Sequence, residues 1–386
     1  MRDDASYCVR QLYDLLARRN PVPPEVLVPA LKQSYFDFQE EVREAFRRMS
    51  GTSVDVAFHL VDAHRLEQAV RLRGRRDRII SLDPLIHRDV HRLRVSRGFL
   101  IGGSEPVGIV AGQRHRPMRE QLGALAAAGH SYTLVDDDII TGSTVSWVIR
   151  SLHDAGVRVR RVVPGIRVTD TDRSSIQGVP VEPVLQYRAV ATDDRAADRP
   201  AAGTGDRAAV ETGDRAAVGT GDRRGARAAH RPDAGAADGP AVGTDVRAAH
   251  RPAMEVVDTR NFLLGVSGLV VQAPDGEWAR APYWLPFVST SARSGISPES
   301  DEDFAVCMLV ANTNFFSRVG HLLGTPVRIL DLHPMVRRLL SSLAVAAPQE
   351  TVVAVLERLM GQMDDWLDLM HKWRMSGLST STGPLT

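Results

Sequence analysis

The sequence predicts an α/β fold, a mainly parallel sheet with helices on both faces, joined to a mainly helical C-terminal region. Three observations predict it. Short apolar runs of strand length alternate with helix-period segments through the first half of the chain. One such run, within Ser131–Gly156, passes through a small-residue turn straight into an amphipathic helix. Beyond Asp301 the pattern is helical as far as about Trp373.

The elements follow in order. Ser6–Arg19 and Pro24–Met49 read as helices, the second with many charges on one face. Val54–Leu60, Ile79–Leu82, Leu93–Ser96 and Tyr132–Asp136 read as short strands, with helical patterns at Ala63–Leu72 and Arg116–Ala128. Composition then changes abruptly. Residues 193–253 are almost wholly Ala, Gly, Asp, Arg, Thr, Val and Pro, without one aromatic. Thr204-Gly-Asp-Arg-Ala-Ala-Val recurs at Thr212 and begins again at Thr220, and Arg227-Ala-Ala-His-Arg-Pro recurs at Arg247. So short a unit has too little to bury to offset its ordering entropy, so a disordered low-complexity insertion is expected. Glu255–Asp258 and Gly268–Gln272 read as strands beyond it. The expected organisation is an N-terminal helical segment (1–50), an α/β core (51–192), the insertion (193–253), and a last part (254–386). That last part completes the core and adds the helical region.

The chain has 386 residues, 43% of them apolar, enough for a sizeable core. Lys plus Arg (48) balances Asp plus Glu (47), so no overall field favours nucleic acid or an anionic membrane. Two cysteines, Cys8 and Cys307, are too few for a disulfide framework. The first residues, Met1-Arg-Asp-Asp, open a charged stretch without a signal peptide's apolar run, and no run approaches bilayer length. These features lead to the expectation of a soluble cytoplasmic protein acting on a small molecule.

The informative stretch is Tyr132-Thr-Leu-Val-Asp-Asp-Asp-Ile-Ile-Thr-Gly-Ser-Thr-Val145. An apolar strand ends in Asp136, Asp137 and Asp138, the turn Thr141-Gly142-Ser143-Thr144 follows, and a helix carries Val145, Val148, Ile149 and Leu152 on one face. Gly156 suits the C-cap of that helix. Backbone N–H groups at a helix N-terminus, aided by the Thr141, Ser143 and Thr144 hydroxyls, form an anion site for a monophosphate. Gly142 lets the backbone approach the ligand. Carboxylates one turn earlier suit ribose hydroxyls, or a Mg²⁺ ion held through water. There is neither a Walker lysine nor a G-x-G-x-x-G pattern.

This stretch resembles the signature of the type I phosphoribosyltransferases: four apolar residues, two acids, three spacers, then Thr-Gly-x-Thr. Asp136 and Asp137 fall on the acidic pair and Thr141–Thr144 on the phosphate loop; Asp138 stands where the family usually has an apolar residue. The resemblance implies a phosphoribosyltransferase-like (Rossmann-like) fold and transfer of phosphoribose from Mg²⁺-bound phosphoribosyl pyrophosphate to a base or base-like acceptor. It makes Asp136 and Asp137 the catalytic and metal-linked pair, directly or through water. Asp138, Thr141, Gly142, Ser143 and Thr144 become ribose 5-phosphate ligands, and a homodimer an analogy.

The family also has an earlier pyrophosphate loop, for which Ser96-Arg97-Gly98, read as a basic glycine turn after a strand, is the local candidate. A mobile lid in the family falls in the interval holding Gly112-Gln-Arg114-His115-Arg116. A variable hood that selects the base falls on Val257–Phe262 and on the aromatic stretch Trp278–Phe287, which equally suits a core. Asp83 reads as a surface turn, and His59 and His64 as structural residues rather than ligands. Two other readings stay open: a non-catalytic phosphoribosyltransferase-like regulator that senses a phosphorylated ribose, and a metal-dependent phosphate-ester hydrolase.

Overall fold

The computed structural model describes residues 2–3, 5–17, 22–49, 61–74, 78–82, 91–111, 116–129, 131–169, 174–188, 258–266, 269–290 and 298–377. The first elements are β1 (Arg2–Asp3), α1 (Ala5–Leu16), α2 (Pro24–Met49), β2 (Val61–Asp62), α3 (Ala63–Gly74), β3 (Arg78–Ser81) and β4 (His91–Arg92). Next come β5 (Val95–Leu100), β6 (Pro106–Ala111), α4 (Met118–Ala127), β7 (Ser131–Ile139), α5 (Ser143–Asp154), β8 (Arg158–Thr169), β9 (Ser175–Ile176), β10 (Val179–Pro180) and β11 (Leu185–Arg188). The last are β12 (Leu269–Gln272), β13 (Trp278–Ala281), α6 (Asp301–Leu323), α7 (Pro334–Ser342), α8 (Val352–Gly361) and α9 (Met363–Gly377).

Five strands form an all-parallel sheet in the order β11-β8-β7-β3-β4. Its central strand carries four successive buried residues, Tyr132, Thr133, Leu134 and Val135, the mark of a strand covered on both faces. On one side Leu125 of α4 and Val145, Val148, Ile149 and Leu152 of α5 pack with Tyr132, Leu134 and Val162. On the other, Leu66 and Val70 of α3 meet Val135, Val163 and Ile166. The chain is therefore α/β with a Rossmann-like, doubly covered parallel sheet. Numbered by appearance among these five, the spatial order is 2-1-3-4-5, so the winding reverses between β3 and β7.

A second sheet, β13-β12-β5-β6, mixes one parallel pair, β12 with β5, with two antiparallel ones. It joins residues from both sides of the insertion: Val270 lies opposite Gly98, and Gln272 opposite Leu100. Phe99, Leu269, Val271, Ala279 and Ala281 of this sheet pack into the largest apolar cluster, which also takes in α1, α2, α6, α7 and α8. Helix α2 buries Leu27, Leu31, Tyr35, Phe38, Val42 and Phe46, the three-to-four spacing of an amphipathic helix. Helix α6 buries Phe304, Met308, Leu309, Phe315 and Phe316; Phe46 stacks edge-on against Phe304, and Phe38 against Phe315. Asp301, Glu302 and Asp303 sit in the first turn of α6, where the helix dipole favours them. No helix among the described residues is long and apolar enough to cross a membrane.

Several expectations change. Helix α2 runs as expected, β3, α3 and α4 lie at or within two residues of the expected bounds, and β7 runs three residues past Asp136, to Ile139. Strand β5 begins later than Leu93 and runs through Leu100, so Ser96-Arg97-Gly98 is strand interior, not a turn. Its pairing with β12 is the reason, and that partner lies far along the chain. Strand β8 is not anticipated because Pro164-Gly165 sits mid-run; Pro164 costs one ladder donor while its carbonyl accepts from Val184 N–H. Asp258, expected to end a strand, instead caps the 3-10 turn Thr259–Phe262. The described residues of 254–386 supply β12, β13 and the helical layer, and none of them forms a strand of the parallel sheet. The strand expected at Val54–Leu60, the insertion 193–253, Asp83 and Gly112–His115 lie outside the described residues.

Candidate functional site

The chain reaches the site along β7. Its three acids lie inside the strand: Asp136 is opposite Pro164 of β8, and Asp138 opposite Ile166. Successive carboxylates fold back on the backbone, with Asp136 accepting from Asp137 N–H at 3.1 Å and Asp137 from Asp138 N–H at 2.9 Å. All three are half-buried. At Gly165 a Cβ would stand 2.8 Å from the Asp137 carbonyl oxygen and 2.7 Å from Leu66 Cδ2, so only glycine lets β8 lie this close.

The turn then sets the helix start. Gly142, at φ 73° and ψ 5°, is the left-handed N-cap of α5. It also lies against Ile176, whose Cδ1 would be 2.9 Å from an added Cβ. Its carbonyl accepts the first helical bond, from Ser146 N–H at 2.8 Å. The Thr141 and Ser143 hydroxyls are 3.0 Å apart, and Thr141 Oγ1 accepts from Ser143 N–H at 3.4 Å. Glycine offers no side chain to bind the initial N–H groups of α5, which is what an anion site at a helix start requires.

These residues open on a cavity of about 210 Å³. Asp136, Asp137, Asp138, Thr141, Gly142, Ser143 and Thr144 all line it, and so does Leu82 at the carboxyl end of β3. The cavity thus sits at the reversal point between β3 and β7, where open α/β sheets bind ligands. Further lining comes from Ser96 and Arg97 of β5 and from Asp258, Arg260, Asn261 and Tyr283. Gly98 does not line it. A Cβ there would come within 2.7 Å of the Trp278 indole, so Gly98 serves the packing of the second sheet.

Arg97 Nη2 donates to Tyr283 Oη at 3.0 Å, and its guanidinium lies 5.7 Å from the centre of the Phe99 ring. Arg260 grips Asp258 through Nε at 2.9 and 3.1 Å and through Nη2 at 2.5 Å. The supporting turn is fixed on every side. Thr259 Oγ1 meets Tyr35 Oη at 2.8 Å and accepts from Gln39 at 3.2 Å. Trp284 Nε1 and Asn312 Nδ2 both donate to the Phe262 carbonyl, and Tyr283 N–H donates to the Asn261 carbonyl. Of the aromatic stretch 278–287, Trp284 and Phe287 are core, and only Tyr283 reaches the cavity.

Arg167, opposite Ile139 across the β7–β8 ladder, is buried, and burial pulls its pKa down from the usual guanidinium value. The sequence offered no signal for Gly165 or Arg167 as neighbours of the loop, and Asn261 carried only that of its stretch, Val257–Phe262. Tyr283, Asp258 and Arg260 carried only a general one, as a polar and aromatic stretch. Among the described residues no three His, Cys, Asp or Glu side chains are grouped to hold a bare metal ion. Asp136 and Asp137 together on the cavity rim do fit a hydrated Mg²⁺, which keeps several waters and takes one or two carboxylates plus phosphate oxygens. Comparison with protein-family models finds no match for this chain, and no curated protein or solved structure matches it.

Proposed function

We propose that the chain is a phosphoribosyltransferase-like enzyme, transferring phosphoribose from Mg²⁺-bound phosphoribosyl pyrophosphate to a base or base-like acceptor. The observation that carries the reading is the cavity at the sheet's reversal point. It is lined at once by the acid run Asp136–Asp138 and by the whole Thr141–Thr144 turn.

In this reading the α5 N–H groups and the Thr141, Ser143 and Thr144 hydroxyls hold the 5-phosphate. Asp136 and Asp137 accept from the ribose hydroxyls and fix the sugar so that C1 faces the rest of the cavity. The C1–O bond to pyrophosphate breaks as the C1–N bond forms, and pyrophosphate leaves with the electron pair. Four carboxylates line the cavity, Asp136, Asp137, Asp138 and Asp258, against two guanidiniums, Arg97 and Arg260. A polyphosphate meets net negative charge there, which supports a divalent ion as part of the bound ligand. Asp136 and Asp137 would hold Mg²⁺ through water, and the ion would supply charge neutralisation on the leaving group.

Calorimetric titration of phosphoribosyl pyrophosphate with Mg²⁺ tests this. Wild type should bind in the micromolar range, and the folded Asp136→Asn/Asp137→Asn variant should not. Pyrophosphate should then appear only when a base is added. Lack of binding by folded wild-type protein would sink the proposal; binding without release under any acceptor would make the chain a sensor.

A further inference from the structure

A short hairpin leans on the start of α5 from outside the cavity. Strands β9 and β10 pair Ile176 with Val179 and Ser175 with Pro180, which leaves Gln177-Gly178 as a two-residue turn. Both central residues take left-handed backbone, Gln177 at φ 51° and Gly178 at φ 74°, as such a turn requires. Glycine, asparagine and aspartate are the residues that suit the first of these positions, and glutamine is disfavoured there. Its side chain makes a contact that reaches α5: Gln177 Nε2 donates to Ser146 Oγ at 2.7 Å. The neighbouring Ile176 places its Cδ1 only 2.9 Å from a Cβ added to Gly142.

The hairpin is well anchored. Ile176 and Val179 pack against the apolar cluster that holds Val145, Val148 and Ile149 of α5. At its base, Val181 N–H donates to the Ser174 carbonyl and Glu182 N–H to the Val162 carbonyl of β8, each at 2.8 Å. The tip is thus tied to the helix and the base to the parallel sheet.

Fold stability is a poor account of Gln177. A hydrogen bond from an exposed side chain adds little, and the left-handed backbone works against it. The ligand gains more. Ser146 N–H makes the first helical bond, to Gly142, so the N–H groups just before it belong to the helix start that binds an anion. Groups already held in place lose less freedom when the anion arrives.

We infer that Gln177 is a positioning residue for the phosphate turn. It acts through Ser146 while Ile176 bears on Gly142, and together they hold the start of α5 ready for the 5-phosphate. The inference rests on the reading of Thr141–Thr144 as the 5-phosphate site.

The test is titration of ribose 5-phosphate into wild type, Gln177→Gly, Ser146→Ala and the double variant. Thermal melts and amide hydrogen exchange over Ser143–Ser146 are recorded on the same proteins without ligand. Gln177→Gly removes the side chain and eases the backbone, so its melting midpoint should hold or rise. Its affinity should nevertheless fall roughly three- to tenfold, the scale of one hydrogen bond. Ser146→Ala should weaken binding to a similar degree, and the double variant no further, since both changes remove one contact. Exchange over Ser143–Ser146 should quicken in all three variants.

Where wild type binds ribose 5-phosphate, any of three results overturns the inference: unchanged affinity in Gln177→Gly, a melt that falls in step with affinity, or full additivity in the double variant. Failure of the 5-phosphate reading looks different. Wild type would then not bind ribose 5-phosphate, and faster exchange over Ser143–Ser146 in Gln177→Gly would leave the tie from hairpin to helix standing. Unchanged exchange there would sink the tie as well.

Discussion

The hydroxyl of Tyr35 lies 2.8 Å from that of Thr259, so the N-terminal helix α2 holds the turn that brings Arg260 to the cavity. Both residues are fully buried, and the contact spans 224 positions of sequence. Tyr35→Phe leaves Thr259 with Gln39 as its remaining partner of this pair. The expected cost is about 1 kcal/mol of stability, or roughly 2–4 °C in the unfolding midpoint. Ligand affinity should fall with it, because this turn carries Arg260 and Asn261 to the cavity wall. An unshifted melt would show that the hydroxyl pair carries no net stabilisation.

Gly142 should tolerate nothing larger. Alanine there meets two obstacles, the left-handed φ of 73° and Ile176 Cδ1 at 2.9 Å from its Cβ. Gly142→Ala should cost about 1–2 kcal/mol and weaken ribose 5-phosphate binding at least about tenfold. Adding Ile176→Ala relieves the contact but not the backbone, so binding should recover only in part. Full recovery would assign the whole effect to Ile176.

Gly98 makes the opposite case, a glycine whose work is packing. Gly98→Ala pushes a methyl to within 2.7 Å of the Trp278 ring and should destabilise by about 1–3 kcal/mol. Gly98→Ala/Trp278→Leu should restore most of that stability and bind ligand like Trp278→Leu alone. A binding defect that persists in the stable double variant would return Gly98 to the ligand site.

Acid sensitivity should be readable at Glu350. Its carboxylate accepts from Arg358 at 2.8 Å and from the Ala347 N–H, and these bonds, Arg358 first, pull its pKa below the ordinary 4.5. A depressed carboxylate pKa stabilises above the unfolded value and is lost as pH falls through the folded one. Stability should therefore drop below about pH 4.5, and Glu350→Gln should flatten that limb while lowering stability at neutral pH. Equal acid limbs in the two proteins would assign the effect to other carboxylates.

The strand–turn–helix that lines the cavity was legible because its pattern is local. Strand, acids, glycine turn and helix must follow one another within about 20 residues, and Tyr132–Leu152 does so in plain order. Helix α2 was legible for a similar reason, its apolar spacing being unbroken from Leu27 to Phe46. Long-range pairing was not. Strand β5 is drawn through Gly98 by Val270, and nothing within ten residues of Gly98 signals that partner. Strand β8 hides its length behind Pro164-Gly165, a pair that locally argues against a strand. Tyr283 looks like its buried neighbour Trp284, and only the fold decides which of them touches the cavity.

The order of synthesis inherits a burden from the way α2 packs. Helix α2 leaves the ribosome early, yet the helix it packs against, α6, begins at Asp301. The five-stranded sheet is complete by Arg188, while α2 must wait for more than 100 further residues before its aromatic face can be covered. A growing chain thus carries Tyr35, Phe38 and Phe46 without their final partners through the whole repeat-rich stretch. Such exposure invites chaperone attendance and makes expression yield sensitive to translation rate. The pocket shares that timetable, because its Arg260 and Tyr283 wall is among the later parts made.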